Sequence, residues 1–377
     1  MSVIKTGVLI LNHSYKSPFK ELDIQYARLF NPDHYAVTLV YLTGDADGAR
    51  AIPSSDYDTI FLNLRKKDIR NLKIRAIREL RALCRERHIQ VAICHRYKPT
   101  YIMSWVARVY PISCLISVMH DFRTLQRLSH KLFVYLCLRH QFVFAGVSDA
   151  VREDLYRDGW GLKAEQVITL PNSIEVPEVV SQQLHREAAR AQLELAPDDF
   201  ALGTVGRLHT AKDHLTLIRA VAAVAPEQPH LRLVIIGEGP LESVLRNAIV
   251  QYGLEDRIVL AGFIPHAWRL MRAFDVYVSP SRKEPFGMVL LEAMAANLPI
   301  IATAVDGVPQ VMSDCGFLVP PGSVDEMAEM IHTCCRQSPQ ERLARGKLAR
   351  QRLENKYTTA HFRQVFWNIF SKRGLTP

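Results

Sequence analysis

The sequence predicts an α/β chain of two Rossmann-like domains facing each other across a cleft. Three observations lead there. Short β-branched runs alternate with stretches of helical period from Phe200 onward, and the same alternation recurs less cleanly before residue 150. The third is length: 377 residues correspond to two domains or three at roughly 150 residues each. Alternation on this scale implies parallel sheets covered by helices on both faces. Ligands of such sheets bind beyond the carboxyl ends of the strands.

In the first half the expected strands are Val3–Leu11, Tyr35–Tyr41, Thr59–Asn63, Val91–Cys94, Leu115–Met119 and Phe142–Val147. The polar stretch from Pro171 to about Pro197 reads as a linker. In the second half, strand Phe200–Val205 runs into Gly206, and His214–Ala225 carries Leu215, Ile218, Val221 and Ala222 on one helical face. Strand Leu231–Ile236 ends at the turn Gly237-Glu238-Gly239-Pro240, and the helix from Leu241 to about Tyr252 stops at Gly253. Arg257–Ala261, Val276–Ser279 and Pro299–Thr303 complete the strands. The expected domains are 1–175 and 176–356, with 357–377 as a final helix returning to the first; Phe362, Phe366, Trp367 and Phe370 have the spacing to dock it.

Composition narrows the function classes. With 48% hydrophobic and 23% charged residues the chain is neither disordered nor fibrous. Apolar runs such as Leu132–Leu138 are too short to span a bilayer. The seven cysteines lack zinc-site spacing, so no metal is expected. The apolar N-terminus, interrupted by Lys5 and Gly7, has no signal-type cleavage site; a buried strand in a cytoplasmic protein is the expectation. The formal charge of +9 is uneven: residues 1–180 hold 25 basic and 18 acidic groups, and Arg65–Arg87 alone ten and three. An anionic partner for the first half follows.

Two stretches carry chemistry. In the first, strand Val276–Ser279 leads to Glu284, then Pro285-Phe286-Gly287, then a helix containing Glu292. Unpaired N–H groups at the start of that helix suit a phosphate, and the two acids suit paired sugar hydroxyls. Equally, Glu284 can serve only as a charge at a helix N-terminus and Glu292 as a solvated helix residue. In the second, Gly206 lets the backbone approach a ligand, while Arg207 and Lys212 offer a forked donor and a point charge to a diphosphate. A surface ion pair with Asp213 is the plainer role.

Taken together, Val205-Gly206-Arg207…Lys212, Val234–Pro240, Val259–Phe263 and Ser279–Met294 resemble family 4 of the retaining glycosyltransferases, in order and spacing, from about Phe200 to Phe317. That resemblance implies the GT-B fold, a nucleotide-sugar donor and no required metal. It implies that Arg207 and Lys212, beside Gly206 and Gly237, hold the diphosphate. Glu292 would take the ribose hydroxyls. Glu284 would hold the donor sugar, helped by backbone amides around Phe286, Gly287, Met288 and Val289, and Phe263 and Ile264 would border the base. A UDP-sugar is the favoured donor, although uracil, guanine and adenine stay open. The expected catalytic set is His120, Glu284, Arg207 and Lys212, with His120 following strand Leu115–Met119 to orient a sugar. Asp121 beside it suits a helix N-cap.

Three positions depart from the family pattern. Asn12-His13-Ser14-Tyr15-Lys16-Ser17 replaces a common glycine pair, Pro171-Asn172-Ser173 a usual Asn-Gly, and Asp213 a common glycine. The expected acceptor is a hydroxyl of a glycan or glycolipid, in lipopolysaccharide-core or other surface-glycan assembly, bound by the first domain. Two basic amphipathic stretches, Arg65–Arg87 and Arg123–Phe144, are candidates for the cytoplasmic face of the inner membrane. A Rossmann helix with a solvated basic face explains the former equally well. No nucleic-acid motif is present. Competing functions are a GT-B sugar-nucleotide epimerase or hydrolase, and a non-catalytic sugar-nucleotide-binding protein at the membrane.

Overall fold

Val8–Leu11 and Leu39–Leu42 are continuous buried apolar runs, which suit parallel strands covered on both faces. The structure, a computed structural model, describes residues 5–15, 19–44, 56–69, 73–137 and 142–371. Val3 and Ile4 of the expected first strand, Lys16 and Ser17, and Arg70, Leu72, Leu138 and Arg139 of the basic stretches lie outside them. The chain divides into two compact units, Met1–Pro171 with Arg363–Pro377, and Asn172–Phe362.

In the first unit the strands are β1 (Thr6–Ser14), β2 (Tyr35–Thr43), β3 (Tyr57–Phe61), β4 (Ile89–His95), β5 (Cys114–Met119), β6 (Phe142–Gly146) and β7 (Val167–Thr169). They form a parallel sheet in the order β3-β2-β1-β4-β5-β6-β7. The strand order reverses between β1 and β4, where a crevice opens at the carboxyl ends. Helix Ile74–Glu86 buries Ala76, Leu80, Leu83 and Cys84 in the sheet core. Of the two readings of the Arg65–Arg87 stretch, the structure shows the sheet-packed helix: Ala76, Leu80 and Leu83 of its apolar stripe are covered, while Ile74 stands exposed beside the basic residues.

The second unit holds β8 (Phe200–Val205), β9 (Leu231–Ile236), β10 (Ile258–Gly262), β11 (Val276–Ser279), β12 (Ile300–Thr303) and β13 (Phe317–Val319), parallel in the order β10-β9-β8-β11-β12-β13. Here the order reverses between β8 and β11. The expected linker is instead folded, as helices Val176–Gln182 and Arg186–Gln192 within this unit. Its charges read as linker composition, yet they tie down carbonyls: Arg190 donates to Ala273 O (3.1 Å) and Asp199 O (2.8 Å), and Arg186 to Phe274 O (3.1 Å). Helix Thr359–Phe370 carries the chain from the second unit back to the first. There Phe366 and Trp367 pack edge-on against Phe30, with ring centres 5.8 and 5.6 Å away.

Candidate active site

Two glycine loops close the carboxyl ends of β8 and β9. Gly206 N–H donates to Ile236 O (2.9 Å), Leu208 N–H to Glu238 O (2.9 Å) and Leu241 N–H to Leu208 O (3.1 Å). At Gly237 φ is +152°, and a Cβ there would lie 2.0 Å from the carbonyl oxygen of Gly206. Only glycine lets these two backbones meet.

A third loop, after β11, is drawn onto the first. The N–H groups of Arg282 and Lys283 donate to Ala211 O (2.9 and 3.2 Å), and Arg282 Nε donates to Asp213 Oδ2 (2.6 Å). Asp213 has φ +46°, which gives a physical reason for the glycine common here in the resembling family. Asp213 tolerates the left-handed region better than most residues and is held by Arg282 and by the Thr216 hydroxyl (2.8 Å). This anchoring brings Lys212 Nζ onto Glu284 Oε2, which also accepts from Ser281 Oγ (3.5 Å). Glu284 N–H donates to Asp306 Oδ2 (2.8 Å), fixing the loop from the β12 side. Lys212, Glu284, Gly287 and Val289 line one small cavity with His214, Tyr277 and Ser281. Gly287, at φ +91°, opens helix Met288–Ala295. The ammonium has three donors and the carboxylate two oxygens, so each keeps bonding capacity for a ligand.

Burial sets the charges around this pair. It pushes the Glu292 carboxyl up to about 8, so at neutral pH Glu292 is largely protonated and can donate a hydrogen bond. The buried Tyr277 phenol is raised by its burial and by Glu292 and Glu284 nearby. His214 falls to about 4, through burial and the Lys212 ammonium, and is neutral.

In the first unit, His120 follows β5, partly exposed. Its Nε2 lies 3.0 Å from Nδ1 of His95, the last residue of β4. Burial and the Arg96 cation lower His120 to about 3. Asp121 caps no helix: its carboxylate accepts from the next N–H, of Phe122 (2.9 Å), within a turn.

Residues 185–352 match the family described as Glycosyl transferases group 1. This part of the chain is similar to group 1 glycosyltransferases. It is 34% identical over 159 residues to D-inositol 3-phosphate glycosyltransferase of Mycobacteroides abscessus, covering 39% of this chain and 34% of that one. The matches span about a third to three fifths of the curated relatives' length. Across the whole chain the fold is GT-B. The structure of Anabaena Alr3699/HepE in complex with UDP aligns with a TM-score of 0.78 at 20% identity, over 97% of this chain and 100% of that one. That of WaaG, a glycosyltransferase involved in lipopolysaccharide biosynthesis, aligns at 0.70 and 18%, over 96% and 99%.

Within the second unit the structure joins Lys212 to Glu284 and places Gly206 against the Lys212 stem, where a Cβ would sit 3.4 Å from Lys212 Cδ. Arg207 is exposed, as is Phe263, at 65%; Ile264 is half-buried. None of the three lines the cavity, nor do Gly237, Met288 or Glu292. Phe286 is core, edge-on to Tyr357 at 5.7 Å. Sequence reasoning missed Tyr277, Ser281, His214 and Asp306, which surround the pair. Only the place of Ser281, two residues past the end of β11, could have signalled one of them. Among the described residues no cluster of three or more His, Cys, Asp or Glu could hold a metal ion, and no helix is long and apolar enough to cross a membrane.

Proposed function

We propose that this protein transfers a sugar, with retention of configuration, from a nucleoside-diphosphate sugar to a hydroxyl of a glycan or glycolipid acceptor. The observation that carries the reading is the meeting of Lys212 and Glu284 on one cavity at the switch point of a unit similar to group 1 glycosyltransferases. Lys212 and Arg207 take the diphosphate with the amides opening helix Met288–Ala295, and neutralise charge as the sugar–phosphate bond breaks. Glu284 accepts hydrogen bonds from the donor sugar, and protonated Glu292 donates to the ribose. Phe263 stacks on the base. The departing phosphate oxygen takes the proton of the acceptor hydroxyl as that oxygen bonds to the anomeric carbon from the same face. His120 orients a sugar hydroxyl, and no metal ion is assigned to the reaction. UDP is the favoured carrier, in keeping with the UDP complex of the HepE neighbour.

A melting screen against UDP, GDP, ADP and their sugars tests the donor. The matching nucleotide sugar is expected to raise the midpoint most, since a ligand at 100 times its Kd adds about 2.7 kcal/mol to native stability. No response to any of them would overturn the reading. Turnover of the donor to free sugar or an epimer, unchanged by added glycolipid, would replace transfer by hydrolysis or epimerisation.

We assign the acceptor side to the first unit, at the cytoplasmic face of a membrane. Helix Leu128–Cys137 leaves Leu128, Leu132, Tyr135 and Leu136 exposed, and a cavity of about 340 Å³ beside it is lined by Lys73, Tyr97, Tyr101, Trp105 and Phe133. An apolar patch bordered by the cations Lys73, Arg108 and Arg127 suits an anionic lipid surface. The seven cysteines stand outside disulfides, six of them buried, which fits a reducing compartment. Flotation with phosphatidylglycerol vesicles is expected to capture the protein, and Leu132→Asp with Leu136→Asp to weaken capture by about tenfold or more. Equal capture by phosphatidylcholine alone, or none by either, would refute the lipid assignment.

A further inference from the structure

The crevice at the carboxyl ends of β1, β4 and β5 contains a chain of polar side chains that the proposed mechanism uses only at its last member. Asn12, in β1, donates through Nδ2 to both carboxylate oxygens of Asp23 (3.1 and 3.3 Å). Asp23 stands on helix Phe19–Ala27 and is 1% exposed. Its Oδ1 lies 3.6 Å from Nε2 of His95, and His95 is fully buried. His95 Nδ1 in turn lies 3.0 Å from His120 Nε2. The Tyr26 ring closes over His95 edge-on, 4.8 Å between centres, and helps to fix the imidazole plane.

We propose that Asp23 and His95 are positioning residues that set the tautomer of His120, and so decide whether His120 accepts or donates a hydrogen bond at Nδ1. The inference rests on the reading of His120 as the residue that orients a sugar hydroxyl. His95 Nε2 is buried without a hydrogen-bond partner and faces Asp23 Oδ1 across 3.6 Å, so an ionised Asp23 carboxylate attracts the hydrogen of His95 onto Nε2. His95 Nδ1 is then an acceptor, it takes the His120 Nε2–H, and His120 Nδ1 carries the lone pair. A single proton added to Asp23 reverses every bond. The carboxylic acid turns its hydrogen toward the lone pair of His95 Nε2, His95 Nδ1–H donates to His120 Nε2, and His120 Nδ1 carries the hydrogen. Both imidazoles remain neutral in both states.

The groups facing this chain favour such a switch near neutrality. Asp23 meets Asn12 from β1, Tyr41 from β2, His95 from β4, and Glu21 and Tyr26 on its own helix. Burial outweighs the stabilising Asn12 and Tyr41 contacts and raises Asp23 to about 7. His95 is held well below its ordinary range by burial, His120 and Arg96, while His120 feels Arg96 and, in the opposite sense, Asp121. The carboxyl therefore titrates before either ring.

Two-bond proton–nitrogen spectra of the full-length chain with ¹⁵N-labelled imidazoles test this directly, with His95→Gln and His120→Asn assigning the signals. His120 is expected to carry its hydrogen on Nε2 at about pH 9 and on Nδ1 at about pH 5, with His95 changing in step. Asp23→Asn, close in shape but unable to ionise, is expected to hold one pattern throughout. A His120 tautomer that does not change with pH, or a change that persists in Asp23→Asn, would overturn the proposal. With UDP-glucose as probe, Asp23→Asn is expected to flatten the pH profile of kcat more than that of KM. If His120→Asn left UDP-glucose turnover intact while the tautomer change was present, the relay would stand and the part given to His120 in the reaction would fall.

Discussion

Lys212→Ala is expected to reduce turnover of the nucleotide sugar by roughly 10²- to 10³-fold, the scale seen when one preorganised donor to a developing negative charge is removed. Lys212 is held for this by geometry rather than by proximity in sequence. Its stem lies against Gly206, its ammonium reaches Glu284, and the loop behind it is fixed by Arg282 and Asp213. Steady-state kinetics on purified Lys212→Ala, Glu284→Gln and the double variant measure the coupling. Because the two groups share one ion pair, the double variant should lose much less than the product of the single losses. Glu284→Gln keeps the bond to Lys212 and one acceptor oxygen, so it should be the milder change. Turnover within about threefold of wild type in Lys212→Ala would remove the cation from the reaction. The pair is partly exposed, with side-chain exposures of 25% and 13%, so its loss should change stability far less than rate.

The second large effect falls on stability. Gly237→Ala places a methyl group 2.0 Å from the Gly206 carbonyl oxygen at a backbone angle that side chains rarely adopt. Neither partner is a flexible side chain, and three backbone hydrogen bonds hold the two loops together. Overpacking and dihedral strain together should cost about 3–5 kcal/mol, a fall in melting midpoint of roughly 10 °C. Gly262→Ala is the control: φ is +69°, but nothing lies within 4 Å of the added methyl. It should cost about 1 kcal/mol. Melting curves of the two variants side by side decide the matter; equal shifts would mean that the close approach of the loops contributes nothing.

Several of these features were legible without coordinates. Strands Phe200–Val205, Leu231–Ile236 and Val276–Ser279 have the observed limits, because each is a short apolar run bounded by a glycine, a proline or a charged residue. Val167–Thr169 and Phe317–Val319 were not foreseen: three residues are too few to establish a period of two. The stretch after Pro171 looked like a linker because composition records its charges but not the carbonyls that Arg186 and Arg190 satisfy. The helical period in Arg65–Arg87 was plain, yet periodicity alone does not say whether an apolar stripe meets a sheet or a lipid. The core around Ala76, Leu80 and Leu83 answers that.

For the candidate site, residue type and order along the chain pointed to two stretches, Gly206–Lys212 and Glu284–Glu292, beyond the carboxyl ends of strands, and the family resemblance joined them into one site. Folding decided what they are to each other. Lys212 and Glu284 are 72 residues apart in the chain and in direct contact in space; Arg207 stays in solvent; and desolvation by its neighbours raises the Glu292 carboxyl to about 8. Of the Asp23–His95–His120 chain only His120 was legible, from its place after a strand; Asp23 and His95 had no signature in the sequence, because the three come from separate parts of the chain and meet only where the strand order reverses. Local spacing is set by the covalent chain, whereas charge state and hydrogen-bond partnership depend on neighbours that only burial brings together.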